Sequence, residues 1–362
     1  MRVCPGSRTC IDPTRLRARR STRVAALPAS VTARCDVEVR AFAPEDEPAV
    51  LEVLKAAFGE WPRGIQGVTP SEFFRWKHLE APHGPSSTLV AEADGALIGL
   101  VAYMRWRFRA GGQTLETMRG VDFALHPDRR RPGASSALTR AAVEHFPADL
   151  AFAWGNPNAK GTPVSLRSGW HEVGKVRHFV QPRASLLGTI RPASTKAAGC
   201  GRVTAASAAE VLSDGAYVTR LLARDGMSDD RLSTDRDLDY VRWRYGRFSE
   251  YRAVRSDPGR DDGMLIFRSR RHGRLSALDI CELFVDTNDR STARHLIREA
   301  IAAAPADLVS RTFRSPGEAA RHGFIQLPHK EVLVSHPLNR NRGPDSTQSS
   351  SWGLSRGDLE LI

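Results

Sequence analysis

Apolar and polar positions change period several times along the chain. Alternation over Val37, Val39 and Ala41 predicts a strand, and Pro44-Glu45-Asp46 then opens a helix with acids in its first turn. The stretch STLVAEADGALIGLVAYMRWRF predicts two strands around the Asp94-Gly95 turn, the strongest short hairpin signal present. TLETMRGVDFALHP reads as a further strand, and an Ala/Leu-rich helix follows from about Ser135 to His145. The segment closes with a strand DLAFAW, an Asn/Pro/Gly loop, a short helix near Val164 to Ser168, and WHEVGKVRHFV as a last strand.

The same order of signals then recurs. FFRWKH, ending at His78, is echoed by YVRWRY, ending at Tyr245, with the Arg-Trp pair in the same place. MLIFRSRR and LSALDICELFVD match the hairpin and long strand, STARHLIREAIAAA the helix, DLVSRTF the next strand, and RHGFIQL the earlier RSGWHEV. This pattern predicts a duplicated α/β unit joined by the Gly/Ala/Ser-rich stretch near Ala193 to Ala209. Trp76 and Trp243, equivalent in the two copies, read as core or inter-lobe anchors.

Composition adds little to that picture until the charge is located. The 362 residues carry 41% apolar and 26% charged side chains, a normal globular mixture, with a formal net charge of +12. Much of the excess lies in the first 35 residues, where eight arginines from Arg2 to Arg34 face a single acid, Asp12. That opening reads as a disordered or artefactual extension, with a transit peptide as the alternative. Without it the case for nucleic acid weakens. The five cysteines show no ligand spacing, so no structural metal and a reduced, cytoplasmic setting are expected. No apolar run is long enough to span a membrane.

Chemistry concentrates in HPDRRRPGASSALTRAA, from His126 to Ala142. A strand ends at Leu125, Pro127 stops it, Gly133 permits an unusual turn, and a helix starts near Ser135. Helix starts present unpaired N–H groups and a positive dipole end, which together hold phosphates, while Ser135 and Ser136 equally suit plain capping. The stretch resembles the strand and pyrophosphate loop of the GCN5-related N-acetyltransferases (GNAT), whose pattern is Arg/Gln-x-x-Gly-x-Gly/Ala. Arg130, Gly133 and Ser135 occupy its three fixed positions. The tandem order with a closing W-x-x-x-x-G-D also looks like bacterial tandem acetyltransferases.

That resemblance implies an α/β (α+β) protein of two GNAT-like lobes, each with a mixed, mostly antiparallel sheet flanked by helices. The expected boundaries are an extension to 35, a first lobe 36–185 carrying the acyl-CoA loop, a linker 186–212, a divergent lobe 213–337, a flexible loop 338–350 and a terminal segment 351–362. It implies acetyl-CoA as cosubstrate, no metal, and a small-molecule amine such as an amino sugar as acceptor. Cofactor contacts fall on Phe123, Leu125, Arg130, Arg131, Gly133, Ala134, Ser135, Ser136, Asn156 and Asn158, with the Phe123 or Leu125 amide polarising the thioester carbonyl. Asp122 is the candidate base, with pairing to Arg119 as its structural alternative; His126 is a weaker one that suits a turn.

Several departures keep other readings open. Pro132 removes one loop N–H, Ser135 stands where the family prefers Gly or Ala, and Ser165 occupies the place of the usual acid tyrosine. The alternative is a non-catalytic acyl-CoA- or partner-binding protein; an aminoacyl-tRNA-dependent transferase or nucleic-acid binder ranks lower. In the second copy the corresponding VDTNDRSTARHL has no glycine and places Asp286 and Asp289 where phosphates would sit. Like charges there exclude acyl-CoA, so the first lobe alone is expected to bind it.

Overall fold

The computed structural model describes residues 37–65, 67–183, 205–224, 230–256, 262–286, 289–313, 315–327 and 331–359. The arginine-rich extension and residues 186–204 of the expected linker lie outside the described residues. The first lobe runs β1 (Glu38–Ala41), α1 (Glu47–Phe58), α2 (Pro70–His78), β2 (Ser87–Ala93), β3 (Ala96–Ala110), β4 (Gln113–Leu125), α3 (Ala134–Glu144), β5 (Phe152–Gly155), α4 (Thr162–Arg167), β6 (His171–Lys175) and β7 (His178–Pro182). Then come β8 (Ala206–Ser207), α5 (Ala208–Ser213), α6 (Gly215–Arg224), β9 (Ser233–Thr234), α7 (Leu238–Gly246), β10 (Tyr251–Arg255), β11 (Gly263–His272) and β12 (Leu275–Val285). The chain continues through α8 (Arg290–Ala303), β13 (Leu308–Arg311), α9 (Pro316–Arg321), β14 (Ile325–Leu327), β15 (Val332–Pro337) and α10 (Arg356–Leu359).

Local chemistry accounts for the expected elements. Asp94 and Gly95 both take positive φ, 53° and 73°, so a two-residue turn matches the twist of β2 and β3. Thr69 accepts from the Glu72 amide while Glu72 accepts from the Thr69 amide, a capping box that starts α2. On one face of the first sheet α1 buries Val50, Val53 and Leu54 against Val90, Leu100 and Ala124. On the other, α3 buries Leu138 and Ala142 against Leu89, Val101 and Tyr103.

Two sheets result, with orders β1-β2-β3-β4-β5-β15-β6 and β14-β7-β13-β12-β11-β10-β8; β9 adds to β3. Each lobe therefore donates its last strand to the other. WHEVGKVRHFV, expected as one strand, is two: β6 stays in the first sheet, whereas β7 pairs with β13. In exchange β15 lies between β5 and β6. Alternation predicts strands and leaves their partners undetermined, because a strand's hydrogen bonds can close with any edge at the right spacing.

The equivalent tryptophans meet face to face. Trp76 and Trp243 stack with centroids 5.0 Å apart, and each indole N–H donates to the other's backbone carbonyl at 2.9 Å. Two expectations of irregular chain are corrected. Residues 205–212 are not linker, since Ser207 caps α5 through the Glu210 amide and Val211 and Leu212 are buried. The stretch 338–350 is pinned by Leu338 and Asn339 amides donating to the Ala151 carbonyl and by the Trp352 indole donating to the Ser346 carbonyl. Polar composition suggested mobility, but these backbone contacts fasten Trp352 against Phe108, Phe152 and Trp154.

Candidate active site

The site grows from where β4 and β5 part. They pair in parallel only at Thr117, Met118 and Arg119, while β4 continues to Leu125. Gly155 lies against Gly120 there, and a Cβ at Gly155 would sit 3.4 Å from the Gly120 carbonyl oxygen. The His126 amide donates to the Ile98 carbonyl at 2.8 Å, which sets the phase of the β3–β4 ladder. Counting back by twos, Ala124 and Asp122 face β3, so the amides of Phe123 and Leu125 face the gap where β5 has left. The Phe123 and Leu125 side chains pack on the α3 side of the sheet.

From the end of β4 the chain leads through residues 126–133 into the start of α3. Gly133 takes φ +84° with open space where a Cβ would lie, and it caps the helix without a side-chain bond. Ala134 is buried and its amide donates to the Arg131 carbonyl at 3.2 Å; the Ala137 amide reaches the Gly133 carbonyl at 2.9 Å. The Ser135 and Ser136 amides fall between these as first-turn donors without an intrahelical acceptor. Of the three arginines, Arg129 pairs with Glu52 at 2.7 Å and Arg131 with Asp94 at 2.6 Å. Arg130 is exposed and forms no ion pair among the described residues.

Asp122 lies elsewhere than beside Arg119. Its Oδ2 meets Lys77 Nζ at 2.8 Å and His78 Nε2 at 2.9 Å, and all three groups are buried. Burial pushes the carboxyl pKa up, but Lys77 and His78 outweigh it and hold it below the usual carboxylate range. Burial also lowers the His78 pKa, against the pull of Asp122. His126 serves the turn, its Nδ1 accepting from the Asp128 amide at 3.3 Å.

Arg119 instead lies between two indoles, its guanidinium carbon 4.9 Å from the Trp106 ring and 4.8 Å from that of Trp154. Burial lowers its pKa to about 10, and its Nε and Nη1 have no hydrogen-bond partner. Its Nη2 reaches Asn156 Oδ1 at 3.5 Å, while Asn156 Nδ2 donates to the Leu359 carbonyl at 2.8 Å. Asn156 thus ties the end of the chain to the edge of the gap. Asn158 closes its own loop by accepting from the Lys160 and Gly161 amides, and Ser165 reaches back to the Gly161 carbonyl.

The amides of Phe123 and Leu125 thus face the gap, Gly133, Ala134, Ser135 and Ser136 form the start of α3, Asp122 is held by Lys77 and His78, and Asn158 is held within its own loop. Lys77, His78, Arg119 and the α10 segment carry no local signal of a role. The one available hint was the repeat. Register places a single-residue bulge at Val121 in β4 and at Cys281 in β12, so Asp122 corresponds to Glu282. The ring two residues after each tryptophan binds that acid: His78 holds Asp122, and the Tyr245 hydroxyl donates to Glu282 at 2.6 Å.

Among the described residues no helix is long and apolar enough to cross a membrane, and no group of His, Cys, Asp or Glu is assembled to hold a metal. Residues 38–171 match the model of the Acetyltransferase (GNAT) domain family. No curated protein is similar enough in sequence to match. Among solved structures, a probable N-acyltransferase of unknown function from Enterococcus faecalis V583 is 14% identical with a TM-score of 0.59, covering 84% of this chain and 72% of its own. A GCN5-related N-acetyltransferase from Anabaena variabilis is 14% identical with a TM-score of 0.60, covering 84% and 73%. Another from Kribbella flavida is 15% identical with a TM-score of 0.56, covering 83% and 70%. At such identities the likeness shows the fold, and it runs across both sheets. Residues 38–171 therefore carry the match to the Acetyltransferase (GNAT) domain, and the fold of the chain is that of two GNAT-like lobes.

Proposed function

We propose that the first lobe binds acetyl-CoA between β4, β5 and α3 and transfers the acetyl group to the amine of a small molecule, an amino sugar being one such acceptor. The observation that carries this reading is the pair of strand amides with no facing strand, at Phe123 and Leu125, on the strand that leads into a helix start left open by Gly133. The first-turn amides and Arg130 suit a pyrophosphate, and a Cβ-free Gly133 lets it approach closely. The Phe123 or Leu125 amide donates to the thioester carbonyl as negative charge develops there. An acceptor amine, neutral when it attacks, gives up its proton as the thiolate leaves.

Asp122 serves this reaction as an anchor. The equivalent Glu282 recurs in a lobe without the phosphate loop, so the buried acid answers to the fold of the bulge. A base for the amine then comes from solvent or from the acceptor itself. Arg130→Ala combined with Gly133→Asp is expected to abolish acetyl-CoA binding by calorimetry; unchanged affinity removes the assignment.

A second reading, acyl-CoA binding without turnover, is favoured by Ser165 bonding only within its helix and by Asn156 being tied to the Leu359 carbonyl. Thiol release from acetyl-CoA with a panel of amines separates the two. Turnover that disappears with the loop variant supports transfer, whereas retained binding with no turnover supports the second reading.

A further inference from the structure

The second lobe repeats the gap and fills it with different chemistry. β12 pairs with β13 only from Ala277 to Asp279, as β4 pairs with β5 only from Thr117 to Arg119. The next residue is Gly155 on β5 and Arg311 on β13. A bare backbone in one lobe is thus matched by a cation in the other. Two cavities meet at Arg311. One of about 340 Å³ is lined by Ile280 to Leu283 of β12, by Arg311 at the end of β13, and by Thr312, Phe313 and Glu318 beyond it. The other, of about 430 Å³, is lined by Arg183, Arg294, Arg298, Arg311 and Arg321 over Ile297, Ile301 and Phe324, with no acid in its wall.

Among the described residues, none of these five arginines is in an ion pair. Arg311 lies 4.9 Å over the Phe313 ring, and burial lowers its pKa, with Glu318 the acid that opposes this. Partly desolvating a cation without a hydrogen-bonded counter-charge is unfavourable, and an anion at that point would offset it. Arg294 and Arg298 stand four residues apart on one face of α8, with Arg183 and Arg321 also on the cavity wall. A pyrophosphate on the helix start is excluded here, because Asp289 accepts from the Ser291 and Thr292 amides at 3.1 and 3.0 Å. The cleft is therefore basic along its flank and closed to a cofactor bound as in the first lobe.

We propose that the second-lobe cleft is a binding site for a small polyanion carrying two or more phosphate or carboxylate groups, anchored by Arg311 and by Arg294 and Arg298. Its chemistry is separate from acyl transfer, so the site survives if the proposed function fails. The test uses the full chain with inorganic pyrophosphate and with citrate at constant ionic strength, read by calorimetry and by the rise in melting temperature. Arg311→Gln, and separately the exposed pair Arg294→Gln with Arg298→Gln, are expected to weaken binding by about tenfold or more, from lost charge-assisted hydrogen bonds. Arg130→Ala is expected to leave it within about twofold, that loop lying in the other lobe.

Should Arg311→Gln fail to fold, the exposed pair decides alone. Three results overturn the proposal: no binding of either probe to the unaltered chain at millimolar concentration, affinity unchanged in the folded variants, or loss of affinity only in Arg130→Ala. A labelled 20-base-pair duplex supplies a further arm; duplex binding lost in the second-lobe variants, with no binding of the small probes, also overturns it in favour of nucleic acid.

Discussion

The starts of α3 and α8 occupy the same place in their lobes and have opposite chemistry. Gly133 leaves the first turn of α3 open, with Arg130 exposed beside it. Asp289 closes the first turn of α8 with its own carboxylate, held to about pH 2 by the Thr292 and Ser291 groups that bond it. Both helices nevertheless pack the same way, for Leu138 and Leu296 meet glycines Gly99 and Gly263 at equivalent points of the sheets. The difference teaches that packing needs the helix and the glycine under it, while the loop with Arg130 and Gly133 is an addition that one copy can lose.

The largest effect should come from the contact that joins the two copies. Trp76→Ala is expected to cost about 3–5 kcal/mol, as for other buried aromatic truncations, and Trp243→Ala, which is only partly buried, less. Because the two rings stack on each other, the double variant should cost less than the sum by about 0.5–1.5 kcal/mol. Urea unfolding of the four proteins gives this coupling. Strict additivity would mean that the lobes meet without cooperating.

Next in size are the equivalent acids, which titrate in opposite senses. Asp122→Asn should cost about 3 kcal/mol at neutral pH, because Lys77 remains buried without its counter-charge. The Asp122 pKa is depressed, so its contribution is present above the unfolded value of about 3.9 and is lost as pH falls through the folded one. Glu282 is the reverse. Burial raises its pKa, Arg236 opposes, and neighbouring Asp358 adds to the rise. Its contribution is therefore present below the unfolded value of about 4.3 and lost as pH rises through the folded value. Denaturation midpoints across pH should show Asp122→Asn flattening the acid side and Glu282→Gln flattening the loss on the rising side; parallel curves would break the comparison.

The smallest effect tests the helix starts themselves. Asp289→Ala should destabilise by about 1 kcal/mol through loss of the cap. Calorimetric stoichiometry for acetyl-CoA should stay at one per chain, since neither the glycine nor the arginine of the first loop is restored. A second bound equivalent would show that the aspartate alone kept the second lobe empty.

Much of this was readable along the chain. The hairpin at Asp94-Gly95, the helix begun by Gly133, and the duplication marked by FFRWKH and YVRWRY all rest on neighbours in sequence, where turn chemistry and side-chain period act directly. The candidate loop was readable for the same reason. Asp122 was not, because its partners Lys77 and His78 sit 45 and 44 positions away and meet it only when α2 lies across the sheet. Likewise, nothing local tells that Asn156 bonds to a carbonyl 203 residues later.

Short-range order therefore settles most of the elements, the repeat and the turn that opens α3, since each depends on dihedral preferences and spacing within a few residues. Packing settles which sheet receives β7 and β15, that the two tryptophans close on each other, and that one gap keeps bare amides while its twin holds Arg311. Those outcomes depend on which surfaces exclude water together and which buried charges find partners, and both are properties of segments brought together across the whole chain.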